Sequence, residues 1–165
     1  TNLIKAFSML KKEKAFGGKL VVAGMKGWMQ ENIASLIETH YLKDDILFLG
    51  YLTDFELCVL YNNAEVFVFP YFYEGFGFPI LEAFSCGAAV VTSNTSACAE
   101  VAGDAALQVD PASVEDIAEN IKRIIHDRDL AVQLKKKAFR RAQDFSFTKT
   151  ARETLRIYKE VHYRS

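Results

Sequence analysis

A chain of 165 residues is the size of one domain with a single sizeable core. Half of the residues are apolar, a quarter are charged, and the net charge is −1, so no global field attracts nucleic acid. No apolar run approaches the ~18 residues of a membrane span, and no signal peptide is visible.

Hydrophobic periodicity divides the chain into alternating helices and strands. Leu3, Ile4, Phe7 and Leu10 recur at helical spacing. Lys19–Ala23 is a short apolar run ending at Gly24 and reads as a buried strand. Ile33, Leu36, Ile37 and Tyr41 form a second helical stripe, and Ile46–Leu49 a second strand stopped at Gly50. Asp54–Asn62 reads as a helix, with Thr53 and Glu56 at capping-box spacing. Val66–Phe69 is a third strand, ended by Pro70. After the stretch Glu74-Gly-Phe-Gly-Phe-Pro79, a helix is expected over Pro79–Ser85, closed at Gly87. Ala89–Thr92 and Ala106–Val109 are the fourth and fifth strands. Three helices follow, over Val114–His126, Asp129–Gln143 and Phe147–Val161, with Asp129 and Ser146 as expected caps.

This alternation predicts an α/β domain: a Rossmann-like parallel sheet with helices on both faces. The strands are continuously apolar, as for a sheet covered on both sides. Ligands of such sheets bind beyond the carboxyl ends of the strands. That draws attention to Gly24–Trp28, Gly50–Thr53, Pro70–Phe78 and Ser93–Ala99, all read as loops.

Other side chains suggest less chemistry. Cys58, Cys86 and Cys98 lack Cys-x-x-Cys spacing and sit among apolar neighbours. They are expected to be small core residues in a reducing cytosol, not a disulfide framework or a zinc site. His40, His126 and His162 are scattered and read as surface or cap residues. The run Lys135-Lys136-Lys137 with Arg140-Arg141 reads as a solvated helix face.

The Tyr71–Phe78 loop carries the chemistry. Gly75 and Gly77 let the backbone approach a ligand closely. The free N–H groups of the helix start then favour a phosphate or a sugar oxygen. The helix dipole adds only about 0.3–1 kcal/mol, so it assists an anion without holding one alone. Glu74 and Glu82 bracket the glycines. A carboxylate accepts two hydrogen bonds side by side, which suits a vicinal diol. Taken alone, Gly75-Phe-Gly77-Phe-Pro-Ile80 is a weak dinucleotide signal, because Ile80 stands where that fingerprint has Gly or Ala.

Glu74-Gly-Phe-Gly-Phe-Pro-Ile-Leu-Glu82-Ala-Phe-Ser-Cys-Gly-Ala-Ala-Val-Val resembles the signature of the family 4, or group 1, retaining glycosyltransferases. Val22–Trp28, Phe48–Leu52, Ala99–Ala106 and Val109–Pro111 extend the resemblance over most of the chain. It implies the C-terminal, donor-binding half of a GT-B fold. A hexose would pass from a UDP-, GDP- or ADP-sugar to an acceptor glycan or lipid-linked sugar, with retention of configuration. By the same resemblance, Glu82 binds the ribose hydroxyls. Glu74 contacts the transferred sugar and steadies positive charge at its anomeric carbon. Backbone N–H groups of Gly75, Phe76, Gly77 and Phe78 hold sugar and phosphate oxygens. Tyr51 and Leu52 meet the base, and Gly24, Met25 and Lys26 line the nucleotide cleft. Glu100 reads as a helix-start or loop-bracing residue.

The resemblance further implies that no metal or other cofactor is needed, because an Arg and a Lys neutralise the diphosphate. Those two residues belong to a first strand that would precede Asn2, as would an N-terminal acceptor domain. This chain alone is therefore expected not to transfer sugar. The resemblance carries a cytoplasmic location, with membrane contact only through the absent N-terminal half. The competing readings are a non-catalytic nucleotide-binding or regulatory α/β domain, a nicotinamide-binding domain, and a related epimerase. Gly24-Met-Lys-Gly27 fits the nicotinamide reading poorly.

Overall fold

A computed structural model describes residues 1–24 and 31–163. Its elements run in the order α1 (Asn2–Lys12), β1 (Leu20–Ala23), α2 (Glu31–Thr39), β2 (Ile46–Gly50), α3 (Asp54–Asn63), β3 (Phe67–Phe69), α4 (Phe78–Ser85), β4 (Val90–Ser93), α5 (Ser96–Ala102), β5 (Leu107–Val109), α6 (Val114–His126), α7 (Arg128–Ala142) and α8 (Phe147–His162). All strand pairs among the described residues are parallel.

The strands form two sheets, β1-β2 and β3-β4-β5. In the larger sheet, side chains alternate between two cores, as the period of two requires. Phe67, Phe69 and Val90 point into one core, with Ile80 and Phe84 of α4, Cys98 and Val101 of α5, and Tyr61 of α3. Val68, Val91 and Val109 point into the other, with Ala6 and Leu10 of α1 and Ile117 and Ile121 of α6. β4 is buried at every position. Val90 and Val91 therefore each contribute about 1.5–3 kcal/mol of burial.

The expected cover on both sides fails for the smaller sheet. One face packs on Ile4 and Phe7 of α1 and Ile37 of α2. On the other face, Val21 remains 41% exposed, Leu47 41% and Leu49 43%. Between the two sheets lies a cavity of about 390 Å³, walled by Leu20 and Val21 of β1, Val68 of β3, and Phe7 and Leu10 of α1.

Local sequence accounts for several element ends. Thr53 and Glu56 form the expected capping box: the Thr53 backbone N–H donates to Glu56 Oε2 at 2.8 Å, and the Glu56 N–H to Thr53 Oγ1 at 3.4 Å. Ser146 caps α8 through the Lys149 N–H, as expected, although no residue of α8 is buried.

Five expectations require correction. Ser96–Ala102 is a helix, although Ser93–Ala99 reads as a loop; a seven-residue helix opening on Ser and Thr offers little periodicity. Glu100 consequently lies near the end of α5 rather than at a helix start. The cap of α7 is Asp127, not Asp129, because Asp127 Oδ1 is the acceptor for the Leu130 N–H, at 2.9 Å. The basic run of α7 is not wholly solvated either. Arg141 donates to the Glu100 and Val101 carbonyls at 2.8 and 3.1 Å, a cation satisfying the C-terminal end of α5. Lys137 pairs with Asp104 at 2.7 Å. Finally, only Cys98 is a buried core cysteine. Cys58 is exposed and Cys86 partly so, because the groove between α3 and α4 is left open.

Candidate functional site

The site is built on the segment that leaves β3 and enters α4. Gly77 is the N-cap of α4, with φ 97° and ψ 42°, a left-handed conformation that glycine adopts freely. Pro79 follows in the first turn, where its missing N–H costs nothing. Among the described residues, the backbone N–H groups of Gly75, Phe76, Gly77 and Phe78 find no acceptor, whereas Ile80 already donates to Gly77 O at 3.0 Å. Four adjacent donors therefore precede and open the helix, where its dipole also favours negative charge.

The loop's two phenylalanines cluster with later aromatic rings. The Phe76 and Phe78 rings contact each other at 4.7 Å between centroids. Phe76 also meets Phe145 at 6.2 Å, and Phe78 meets Phe147 at 6.3 Å. These rings form one wall of an open, largely apolar groove of about 740 Å³ between α3, α4 and the α7–α8 connection.

The two glutamates are held from opposite flanks of the loop. Glu82 is on α4, with Oε2 accepting a hydrogen bond from Tyr61 Oη of α3 at 3.1 Å. Tyr61 is 8% exposed and meets Phe67 edge-on at 5.0 Å, so its hydroxyl comes from a fixed ring. Burial, then the Glu82 charge and hydrogen bond, push the Tyr61 hydroxyl above its ordinary pKa and keep it a donor. Glu74 is half-buried, and its backbone N–H donates to Ser96 Oγ of α5 at 3.3 Å.

That last contact belongs to a series. Thr92 Oγ1 donates to Phe69 O at 2.9 Å, Ser93 Oγ to Tyr71 O, and Thr95 Oγ1 to Phe72 O at 3.3 Å. Hydroxyls at the end of β4 and the start of α5 thus fasten the β3–α4 loop rung by rung. Sequence reasoning missed them, and the signal was present: Thr92-Ser93-Asn94-Thr95-Ser96 is a run of polar residues directly after a buried strand. Ser96 also holds φ at 55°, a left-handed value uncommon outside glycine.

At the ends of β1 and β2, the Gly24 N–H donates to Gly50 O at 2.8 Å. Tyr51 is 77% exposed and Leu52 partly buried. Gly24, Tyr51 and Leu52 are therefore brought to one sheet edge. Met25 and Lys26 lie outside the described residues. No helix among the described residues is long and apolar enough to cross a membrane.

Comparison with known proteins identifies the fold and the family. The chain is 37% identical over 157 residues to O-antigen chain mannosyltransferase B of Escherichia coli, an alignment covering 95% of this chain and 41% of that protein. It is 36% identical over 151 residues to the serotype-specific mannosyltransferase WbdA of Escherichia coli, covering 90% of this chain and 18% of the relative. Its fold superposes on sucrose-phosphate synthase from Thermosynechococcus elongatus with a TM-score of 0.82 at 25% identity, over 99% of this chain and 43% of that one. The chain thus spans less than half the length of each of these three proteins, and its solved neighbours are GT-B glycosyltransferases. The family model for group 1 glycosyl transferases matches residues 1–141, and the chain belongs to that family.

Proposed function

We propose that this chain supplies the donor-binding half of a retaining hexosyltransferase. The observation that carries the reading is the row of unpartnered N–H groups from Gly75 to Phe78, with Glu82 one turn into the same helix. Cleaving a sugar–phosphate bond builds negative charge on the departing diphosphate and positive charge on the sugar. Preorganised donors meet the first. A carboxylate at Glu74 meets the second. Tyr61 occupies one oxygen of Glu82, leaving the other to accept from a ribose hydroxyl. Tyr51, Leu52 and Gly24 receive the base, with Met25 and Lys26 beside them. Attack on the face the leaving group departs from retains configuration. The diphosphate is neutralised by basic side chains, without a metal.

The sugar to test first is mannose, because two of the relatives are mannosyltransferases. The acceptor is a glycan or lipid-linked sugar, held by an N-terminal domain, and this chain by itself does not complete the transfer. A further strand, carrying the basic pair, is proposed to fill the space between β1 and β3. The cavity there, which Val21 lines, supports it.

The deciding experiment is a ligand-observed NMR screen of UDP-, GDP- and ADP-sugars against this chain and its Glu82→Ala variant. Binding by the wild type that the variant loses is the expected result. Equal binding by both removes Glu82 from the site. Measurable sugar transfer by the purified chain would overturn the division of labour between two domains.

A further inference from the structure

Cys58 of α3 and Cys86, the C-cap residue of α4, are 28 positions apart in sequence, yet their sulfurs lie 3.6 Å from each other. Both line the groove that also holds Tyr61 and Glu82. Cys58 is exposed, so reagents reach it from solvent, whereas Cys98 is fully buried and does not compete. Asn62 Nδ2 donates to Cys58 Sγ at 3.4 Å. Cys86 is pushed up to about 11 by burial first, then by the contact with Cys58 and the Glu82 charge. The two thiols are thus unequal, one accessible and one held in reserve beside it.

We propose that Cys58 and Cys86 form a dithiol modification site, which closes to an intrachain disulfide on exposure to a peroxide. Cys58 gives up its proton, its thiolate attacks one oxygen of hydrogen peroxide, the O–O bond breaks, and Cys58 becomes a sulfenic acid while the other oxygen leaves as hydroxide and takes up that proton to become water. The Cys86 sulfur then loses its proton and attacks the Cys58 sulfur. The S–S bond forms, the S–O bond breaks, and a second water leaves. Two thiols are oxidised and one peroxide is reduced. The sulfurs must close by about 1.5 Å to reach disulfide bonding distance. Cys58 and Tyr61 are three apart on α3, and Cys86, capping the end of α4, is four positions after Glu82. The crosslink therefore forms one turn from the Tyr61–Glu82 hydrogen bond and ties the same two helices.

The test is hydrogen peroxide treatment of the chain and of its C58S, C86S and C98S variants. Free thiols are then counted in denaturant, and linked peptides are identified by mass. Wild type is expected to fall from three thiols to one, to lose the mass of two hydrogens, and to yield a Cys58–Cys86 linked peptide that dithiothreitol separates. C98S should still form the link, and C58S and C86S should not. A trivalent organoarsenical, which bridges neighbouring thiols without oxidant, should bind wild type and C98S in a one-to-one ratio and neither of the other two. The proposal is overturned if three thiols survive, if oxidation stops at oxygen added to Cys58, or if the link joins two chains.

Discussion

Tyr61 Oη reaches Glu82 Oε2 across 3.1 Å, joining the best-buried residue of α3 to an exposed carboxylate on α4. The bond is asymmetric in its consequences. Removing the hydroxyl leaves Glu82 solvated, so no buried polar group is orphaned and folding is little affected. What is lost is the orientation of the carboxylate. Because Glu82 is exposed, the full value of a charged hydrogen bond is not recovered. Tyr61→Phe should cost about 1 kcal/mol or less in stability and weaken nucleotide-sugar binding about fivefold. Calorimetric titration of the whole enzyme, beside a urea melt, measures both. Unchanged affinity would leave Tyr61 a packing residue only.

The same neighbourhood sets an alkaline limit on stability. Tyr61 and Cys86 both hold their protons more tightly in the folded chain than in the unfolded one. Unfolded thiols begin to ionise at about pH 8.5 and unfolded tyrosines at about pH 10, while the native groups stay neutral. The unfolded state therefore binds fewer protons, and stability falls as pH rises. The contribution is fully present below about pH 8.5. For Cys86 it is lost as pH climbs to about 11, and for Tyr61 it goes on falling above that. Melting midpoints of wild type should drop across this range more steeply than those of C86S/Y61F. Parallel curves would show that neither group matters.

Ser96 separates stability from function. Its left-handed φ of 55° costs roughly 1–2 kcal/mol in a residue with a Cβ. Its hydroxyl receives the Glu74 N–H at 3.3 Å, a long and exposed bond. Ser96→Gly relieves the strain and loses the bond, so its melting midpoint should equal or exceed that of wild type while donor affinity falls. Ser96→Ala keeps the strain and should lose both. If Ser96→Gly binds donor as wild type does, the Ser96 contact does not position Glu74.

What was legible in the sequence is what local spacing encodes. The Val114–His126 helix agrees to the residue, the Thr53–Glu56 box is formed, and the glycine-bearing loop leads from a strand into a helix. What was not legible depends on residues far apart in the chain. The hydroxyl rungs join positions 22 or 23 residues apart, and the Tyr61–Glu82 bond spans 21. No single-chain periodicity reports such pairings. The two-sheet arrangement was missed for a related reason. Apolar strands signal burial, but Leu47 and Leu49 show that an apolar strand can stand with one face uncovered.

That uncovered face yields a prediction about longer chains. Val21 is 41% exposed here and borders the cavity between β1 and β3. In this chain, Val21→Asp should change stability by less than about 1 kcal/mol, as an accessible position allows. If an upstream strand fills the cavity, Val21 becomes a buried contact. The same substitution should then cost about 3 kcal/mol or more in the extended chain, because a charge is buried without a partner. Equal costs in the two chains, read from urea melts, would reject the inserted strand.

Gly75 and Gly77 distinguish a turn that the fold requires from one that a ligand requires. A Cβ at Gly77 would meet Ile80 Cδ1 at 3.2 Å, and the φ of 97° is already unfavourable for any other residue. Gly77→Ala should therefore destabilise the chain by about 1–2 kcal/mol with or without donor. A Cβ at Gly75 meets nothing within 4 Å, and its φ is not in the left-handed region. Nothing in the folded chain forbids alanine there, and Gly75→Ala should melt as wild type does or slightly higher. If a donor oxygen approaches the Gly75 N–H, the added methyl stands in its path, and affinity should fall about tenfold or more, equivalent to about 1.4 kcal/mol. A variant that folds normally and loses donor would locate the ligand against the backbone. One that folds and binds normally would move the donor away from this loop.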